Sequence, residues 1–343
     1  MLNKLNIIFI LFLFTSCVET PDNKIIDNNS SGNILLLSEG LLNQDNSKLQ
    51  KINLDSNFNN INYYEQINKI KLGDTANDMI LVDDYIYIII SNTNKIIKIN
   101  KNNGELINSF LFSKTRFIKH IHFNKYLWIT DLLNNTVLKL DTNNLQILNE
   151  IAVGPGPDGI DSHNNYLFVA NSAVGQIRDK EQGARTISVI DINTDLEIQK
   201  IHCGPNTLDI EIANNKLYAS YANFHWSDSV GAIIEYDLES FNKISEYKTQ
   251  IHSKLKYYNN KLYFINNDGL NYLDLTNKEI FNQIKNTSTD VWYSFNIDNN
   301  YYYILNAFNH QVAGELLIFE NQNKFANFPT GINPNTILFL NEN

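Results

Sequence analysis

The stretch from Gly154 to Cys203 constrains this chain more than any other. A Gly-Pro turn leads into a short apolar run. An Asn-Asn turn then leads into Tyr166–Ala170. A third run, Ile187–Ile192, turns at Asn193-Thr194-Asp195 into a fourth, Glu197–His202. Runs of this length, rich in Ile, Val, Tyr and Phe and punctuated by Asn, Asp and Gly, read as strands joined by tight turns. Four of them in succession make a meander, and the same pattern recurs before and after it. Spacing of roughly 37–50 residues per unit fits four-stranded blades. The chain is therefore expected to be a repeat protein.

The two ends complete each other. The first unit offers three strands: Asn33–Ser38, Lys48–Leu54 and Tyr64–Ile70, with Asn57–Asn62 as a turn. The last run, Thr336–Leu340, has the character of an innermost strand but no strands after it. Joined, they give one full blade. The resulting fold class is all-β: a seven-bladed β-propeller of four-stranded antiparallel blades, with the first blade closed by the C-terminal strand. The counting range is six to eight blades. Closure of this kind hides sheet edges and ties the termini together. No stretch after Ser31 keeps a 3.6-residue apolar period for ten residues, which argues against α/β units.

Composition narrows the function. The 343 residues carry a formal net charge of -10, and no basic stripe is present to neutralise phosphates, so duplex nucleic acid is not an expected partner. The chain has two cysteines, Cys17 and Cys203, too few for a disulfide framework, and Cys203 is expected to be a free buried thiol.

The N-terminus reads as a targeting segment. Lys4 precedes the nearly all-apolar Leu5–Phe14, a run too short to be a comfortable spanning helix. Leu13-Phe14-Thr15-Ser16-Cys17 resembles a lipoprotein signal-peptidase box, although Phe14 stands where an aliphatic residue is usual. The resemblance implies a signal peptide over 1–16 and lipidation of Cys17; the composition after it reads as a flexible tether over 17–31, and the repeats as a single propeller domain over 32–343. The resemblance also implies a cell-envelope protein anchored to the outer membrane, on its surface or periplasmic face. Glu19 and Asp22 loosely resemble the export tags of Bacteroidetes-type surface lipoproteins.

From about residue 32 to 343 the chain resembles the YVTN-type propeller repeats of the YncE-like family. The closest stretches are Pro157-Asp158-Gly159-Ile160, Phe168-Val169-Ala170-Asn171 and Thr186-Ile187-Ser188-Val189-Ile190-Asp191. Lys216-Leu217-Tyr218-Ala219-Ser220 is a weaker copy. The fold hosts enzymes, ligand binders and adaptors, so the resemblance speaks to fold before function. Several repeated residues have structural work to do. Asp191, Asp237 and Asn171 are expected to bond turn amides. Gly154, Gly156 and Gly159 permit close approach between blades. Asp158, Asp161 and Asp209 fall near the channel or its mouth.

In a four-stranded blade, the loop from second to third strand and the connection from the outer strand to the next inner strand open on one face. The longest insertions fall there: Ser172–Arg185, Ala222–Val230 and Ala307–Gly314. Loops on a rigid scaffold are where binding residues concentrate. The candidate ligand-binding residues are Trp226, His225 and Phe224 from the second insertion, Arg178 from the first, His310 from the third, and Trp292 beside Asp290. Rings beside amides and a few charges suit a large, planar, partly apolar ligand. For each, packing of the loop against its neighbour or plain solvation is the competing reading.

The leading function is a non-catalytic binding propeller of the envelope. Its partners would be a small molecule, an outer-membrane transporter or another envelope protein. The family resemblance implies a corrinoid as one ligand; no cofactor is otherwise expected. The alternatives are a protein-interaction scaffold and a metal-dependent, lactonase-like hydrolase. The hydrolase would need Asp158, Asp209 and Glu211 to converge on a channel metal. His120 and His122 flank Ile121 and face the same side, a spacing open to a metal pair or to two channel-facing polar residues. No G-x-S-x-G elbow or C-x-x-C is present, so no catalytic residue is assigned.

Overall fold

The computed structural model describes residues 32–175, 177–222 and 230–340. They form seven four-stranded antiparallel sheets. The first blade runs, from axis to rim, Pro334–Phe339, Asn33–Ser38, Lys48–Asn53 and Phe58–Asn60. The C-terminal strand pairs with the N-terminal one, Leu36 opposite Ile337, so the ring is closed between the ends of the chain. The other inner strands are Ala76–Val82, Ile118–Asn124, Pro157–His163, Thr207–Ala213, Lys256–Tyr258 and Trp292–Asp298.

The core is divided among the boundaries between blades. Within one strand, Leu35 and Leu37 pack toward the second blade, whereas Ile34 and Leu36 pack toward the seventh. Successive side chains point to opposite faces of a strand, and each blade is covered on both faces. Its middle strands therefore read as continuous apolar runs, such as Tyr85–Ile90, with burial from residue 86 to 90. Each of the seven boundaries has its own apolar cluster. Cys203 lies in the one between the fourth and fifth blades as a free buried thiol.

A single turn design recurs between third and outer strands. Asp191 accepts the N–H groups of Asn193 and Thr194 at 2.8 and 3.4 Å, and Asp237 those of Glu239 and Ser240. Asp141, Asp274 and Asn100 do the same. In each turn the residue four places on has positive φ and donates its N–H to the carbonyl of the Asp or Asn. A short carboxylate or amide that captures its own downstream amides offers the backbone a turn in place of a longer strand.

Two expectations need correction. The stretch read as a strand over Tyr64–Ile70 is a helix, Tyr63–Asn68, and the outer strand of the first blade is Phe58–Asn60, in what was read as a turn. Tyr63, Tyr64 and Ile67 meet one apolar cluster, a helical spacing, whereas alternation would have pointed Tyr64 and Ile70 inward together with Gln66 and Asn68. Asn171 does not bond turn amides. Its Nδ2 donates to Thr186 and Ser188 hydroxyls, both at 2.9 Å, because the side chain points across the blade into the third strand. Cys17, the signal segment and the tether lie outside the described residues. Among the described residues no helix is long and apolar enough to cross a membrane.

Candidate functional site

The inner strands begin on the face that carries the long loops, and their first residues surround a cavity of about 140 Å³ at the channel mouth. Its polar wall is built from Asp158, Asp209, His120, Lys254, Tyr293 and Asn335. A larger groove, about 570 Å³, lies beside it between the sixth and seventh blades. Trp292, Asp290, His310 and Asn267 line the groove, and it shares His252 and Tyr293 with the cavity. The sixth inner strand is short, three residues, which leaves room on this side of the ring.

Charge in the channel is arranged in two tiers. In the upper tier His120 bridges two blades: Nδ1 lies 3.2 Å from Asp78 Oδ2 and Nε2 lies 2.8 Å from Asp158 Oδ1. Lys254 reaches across to Asp78 at 3.0 Å. Burial pushes the Asp78 carboxyl up, but Lys254 and His120 outweigh it and hold the group well below the ordinary range. Asp158 is lowered as well: the His120 hydrogen bond and charge overcome its burial. Asp209 has no direct contact with either cation. Burial pushes it up to about 6, and Lys254, His120 and backbone N–H groups offset this only in part.

The lower tier holds His122, Asp161 and Glu211. His122 Nε2 lies 2.8 Å from the Ser162 hydroxyl. Burial lowers the His122 ring and raises Asp161, each partly offset by the other. Glu211 is pushed up to about 8 by burial, with Asp161 and Asp209 adding to it against the Tyr257 N–H.

These carboxylates also serve the ring. Asp161 Oδ2 accepts the Ile212 N–H at 2.8 Å. Asp209 Oδ2 and Glu211 Oε1 accept the N–H groups of Leu255 and Tyr257 at 2.6 and 2.8 Å. Each bond joins the inner strand of one blade to that of the next. Asp158, Asp209 and Glu211 thus do not converge on one point, and among the described residues no group of three or more His, Cys, Asp or Glu is placed to hold a metal. His120 and His122 share a side, as their spacing suggests, but turn to separate partners.

The residues singled out in the sequence are distributed as follows. His310 stands on the groove, its Nδ1 2.8 Å from Asn333 Oδ1 and its ring edge-on to Tyr293. Trp292 is 7% exposed, packs beside Phe319 and forms the groove's apolar floor. Arg178 folds back over the third blade: Nη1 donates to Asn135 Oδ1 at 2.7 Å while Nε and Nη2 grip Glu181. The insertion that carries it is closed further by Arg185 on Asp179. Trp226, His225 and Phe224 lie outside the described residues. Arg116 is buried between Asp131, at 2.7 Å, and Glu150, and ties together the third blade.

Sequence reading missed Tyr293, His252, Lys254 and Glu39 as a set. Tyr293 donates its hydroxyl to Glu39 Oε1 at 3.0 Å across 254 positions of sequence. Burial first, then Glu39 and Asp158, push the Tyr293 phenol well above its usual range. The available signal was positional: each stands at or next to the start of an inner strand, or in a second-to-third loop.

No protein-family model matches the sequence, and no curated protein is similar to it at a significant level. Solved structures share its fold. A quinonprotein alcohol dehydrogenase-like protein of Bacteroides thetaiotaomicron superposes with a TM-score of 0.67 at 12% identity, over 90% of this chain and 78% of that one. The dihydro-heme d1 dehydrogenase NirN gives 0.59 at 9% identity, over 93% and 78%. Hydrazine synthase of Kuenenia stuttgartiensis gives 0.54 at 13% identity, over 69% and 74%. At these identities the likeness shows the β-propeller fold, and the class of this chain is a seven-bladed β-propeller closed by its own termini.

Proposed function

We propose that the chain is a non-catalytic binding propeller of the cell envelope that captures a small molecule on its loop-bearing face. The observation that carries this reading is the groove of about 570 Å³ between the sixth and seventh blades. It combines an apolar floor at Trp292 with the polar edges of His310, Asp290 and Asn267. Pockets of this size and mixed lining suit a drug-sized ligand with a ring body. A corrinoid, the ligand the YncE-like resemblance implies, is larger than the groove and would extend over the neighbouring loops.

Leu42, Leu133 and Ile177 are exposed on second-to-third loops of the same face. Exposed apolar side chains on the face that carries the groove support a protein partner there, such as an outer-membrane transporter. The lipoprotein-like box supports anchoring through Cys17, which loss of palmitate labelling in Cys17→Ser would confirm.

The test is capture. The purified protein is incubated with cell or medium extract, washed, and its retained small molecules are identified by mass. Thr289 is exposed on the groove wall, so Thr289→Trp fills the groove without touching the core. Retention of one compound by the native protein and its loss in Thr289→Trp is the expected result. Equal retention by both places the ligand elsewhere.

A further inference from the structure

Two acceptors at the channel-mouth cavity, Asn335 Oδ1 and the Asp209 carboxylate, have no side-chain donor among the described residues. Asn335 uses its Nδ2 on Glu39 Oε1 and on the carbonyls of Ala76 and Asn77, which leaves its buried Oδ1 without a donor. Asp209 is 6% exposed, and backbone N–H groups alone reach it: Leu255 at 2.6 Å and the adjacent Ile210. Among the described residues it has no ion-pair partner. A buried carboxylate in that state is costly unless a cation comes to it. Its pKa, pushed up to about 6, reports the same deficit. Asp158, whose Oδ1 contacts His120, lines the same cavity.

We infer that this cavity receives the ammonium group of a primary amine whose ring body lies in the neighbouring groove. An ammonium carries three donors and one positive charge, which matches what Asp209 and Asn335 lack, with Asp158 beside them on the cavity wall. The shared wall of His252 and Tyr293 sets the head and the body of such a ligand side by side. Trp292 and Tyr293 supply the apolar and aromatic surface for the ring. Lys119, on the cavity rim, already acts on Asp158 through its charge, opposes the incoming cation and limits affinity. This inference rests on the groove reading above and names the ligand class for it.

The test uses the whole protein at pH 7.5 and three matched probes in calorimetry: 2-phenylethylammonium, 2-phenylethanol and 3-phenylpropionate. The amine is expected to bind at least about tenfold tighter than the alcohol, the scale of a charge-assisted hydrogen bond, and the anion most weakly. Asp209→Asn keeps an acceptor for the Leu255 N–H, so the fold is retained. It should cost the amine about tenfold and leave the alcohol unchanged. Lys119→Ala removes a positive charge that competes for Asp158 and should tighten the amine. Equal binding of amine and alcohol, or an amine affinity unmoved in folded Asp209→Asn, overturns the ammonium assignment. If both probes are then lost in Thr289→Trp, the groove reading survives without it. Absence of amine binding, or amine binding indifferent to Thr289→Trp, overturns the inference outright.

Discussion

The boundary between the fourth and fifth blades and that between the sixth and seventh are built on opposite plans. At the first, inner strands approach to backbone contact. A Cβ on Gly159 would stand 2.5 Å from the Asp209 Cα and 2.8 Å from the Leu208 carbonyl oxygen, and Asp161 bonds the Ile212 N–H beside it. At the second, the sixth blade contributes an inner strand of three residues, and rings fill the boundary further out, with Tyr263 and Tyr302 centroids 5.8 Å apart. The space left at the mouth is the groove. A closed ring can be tight at most boundaries and open at one, because each boundary has its own apolar cluster. The difference teaches that the candidate site is a local relaxation of the repeat.

The largest effect that would sharpen this comparison is at Gly159. Gly159→Ala forces the Cβ against backbone atoms that cannot rotate away, and the variant should lose about 3 kcal/mol, read as a drop in urea midpoint. Stability like that of the native protein would show the tight boundary to be compliant and would break the contrast. A smaller effect, with a pH signature, belongs to Glu211. Its folded pKa of about 8 lies above the ordinary value of 4.5, so the folded state holds the proton more firmly than the unfolded one. The native protein should therefore keep this contribution below about pH 4.5 and lose it as pH rises toward 8. Glu211→Gln keeps an acceptor for the Tyr257 N–H and has no proton to lose. It should be more stable than the native protein by roughly 1–2 kcal/mol at pH 8.5 and nearly equal to it at pH 4.5, measured by thermal melts across that range. A pH-independent difference would mean that Glu211 is not held neutral between its blades.

Much of the candidate site was legible by position and little of it by partner. Gly159, Asp158 and Asp209 stand at the starts of inner strands in a repeat read from turn spacing, which placed them at the channel mouth. His310 and Trp292 were found as unusual residues on the loop-bearing face, and they meet on one groove. Arg178 was found by the same reasoning, yet its guanidinium is engaged by Glu181 and Asn135. The Glu181 partner is local, three residues on, but nothing in a run such as Ile177-Arg178-Asp179 signals Asn135, which comes from another blade. The helix at Tyr63–Asn68 escaped because six residues are too few for a 3.6-residue period to stand out against alternation.

By itself the sequence determined the repeat, a count of seven blades within a range of six to eight, and the closure of the first blade by the last strand. Those features follow from local periodicity and turn chemistry, which neighbouring residues set. Tertiary structure alone decided which charges meet: His120 between Asp78 and Asp158, Lys254 on Asp78 across 176 positions, and Asp209 without an ion-pair partner among the described residues. A ring brings residues from every blade to one axis, and electrostatic pairing there depends on distances that no linear spacing records.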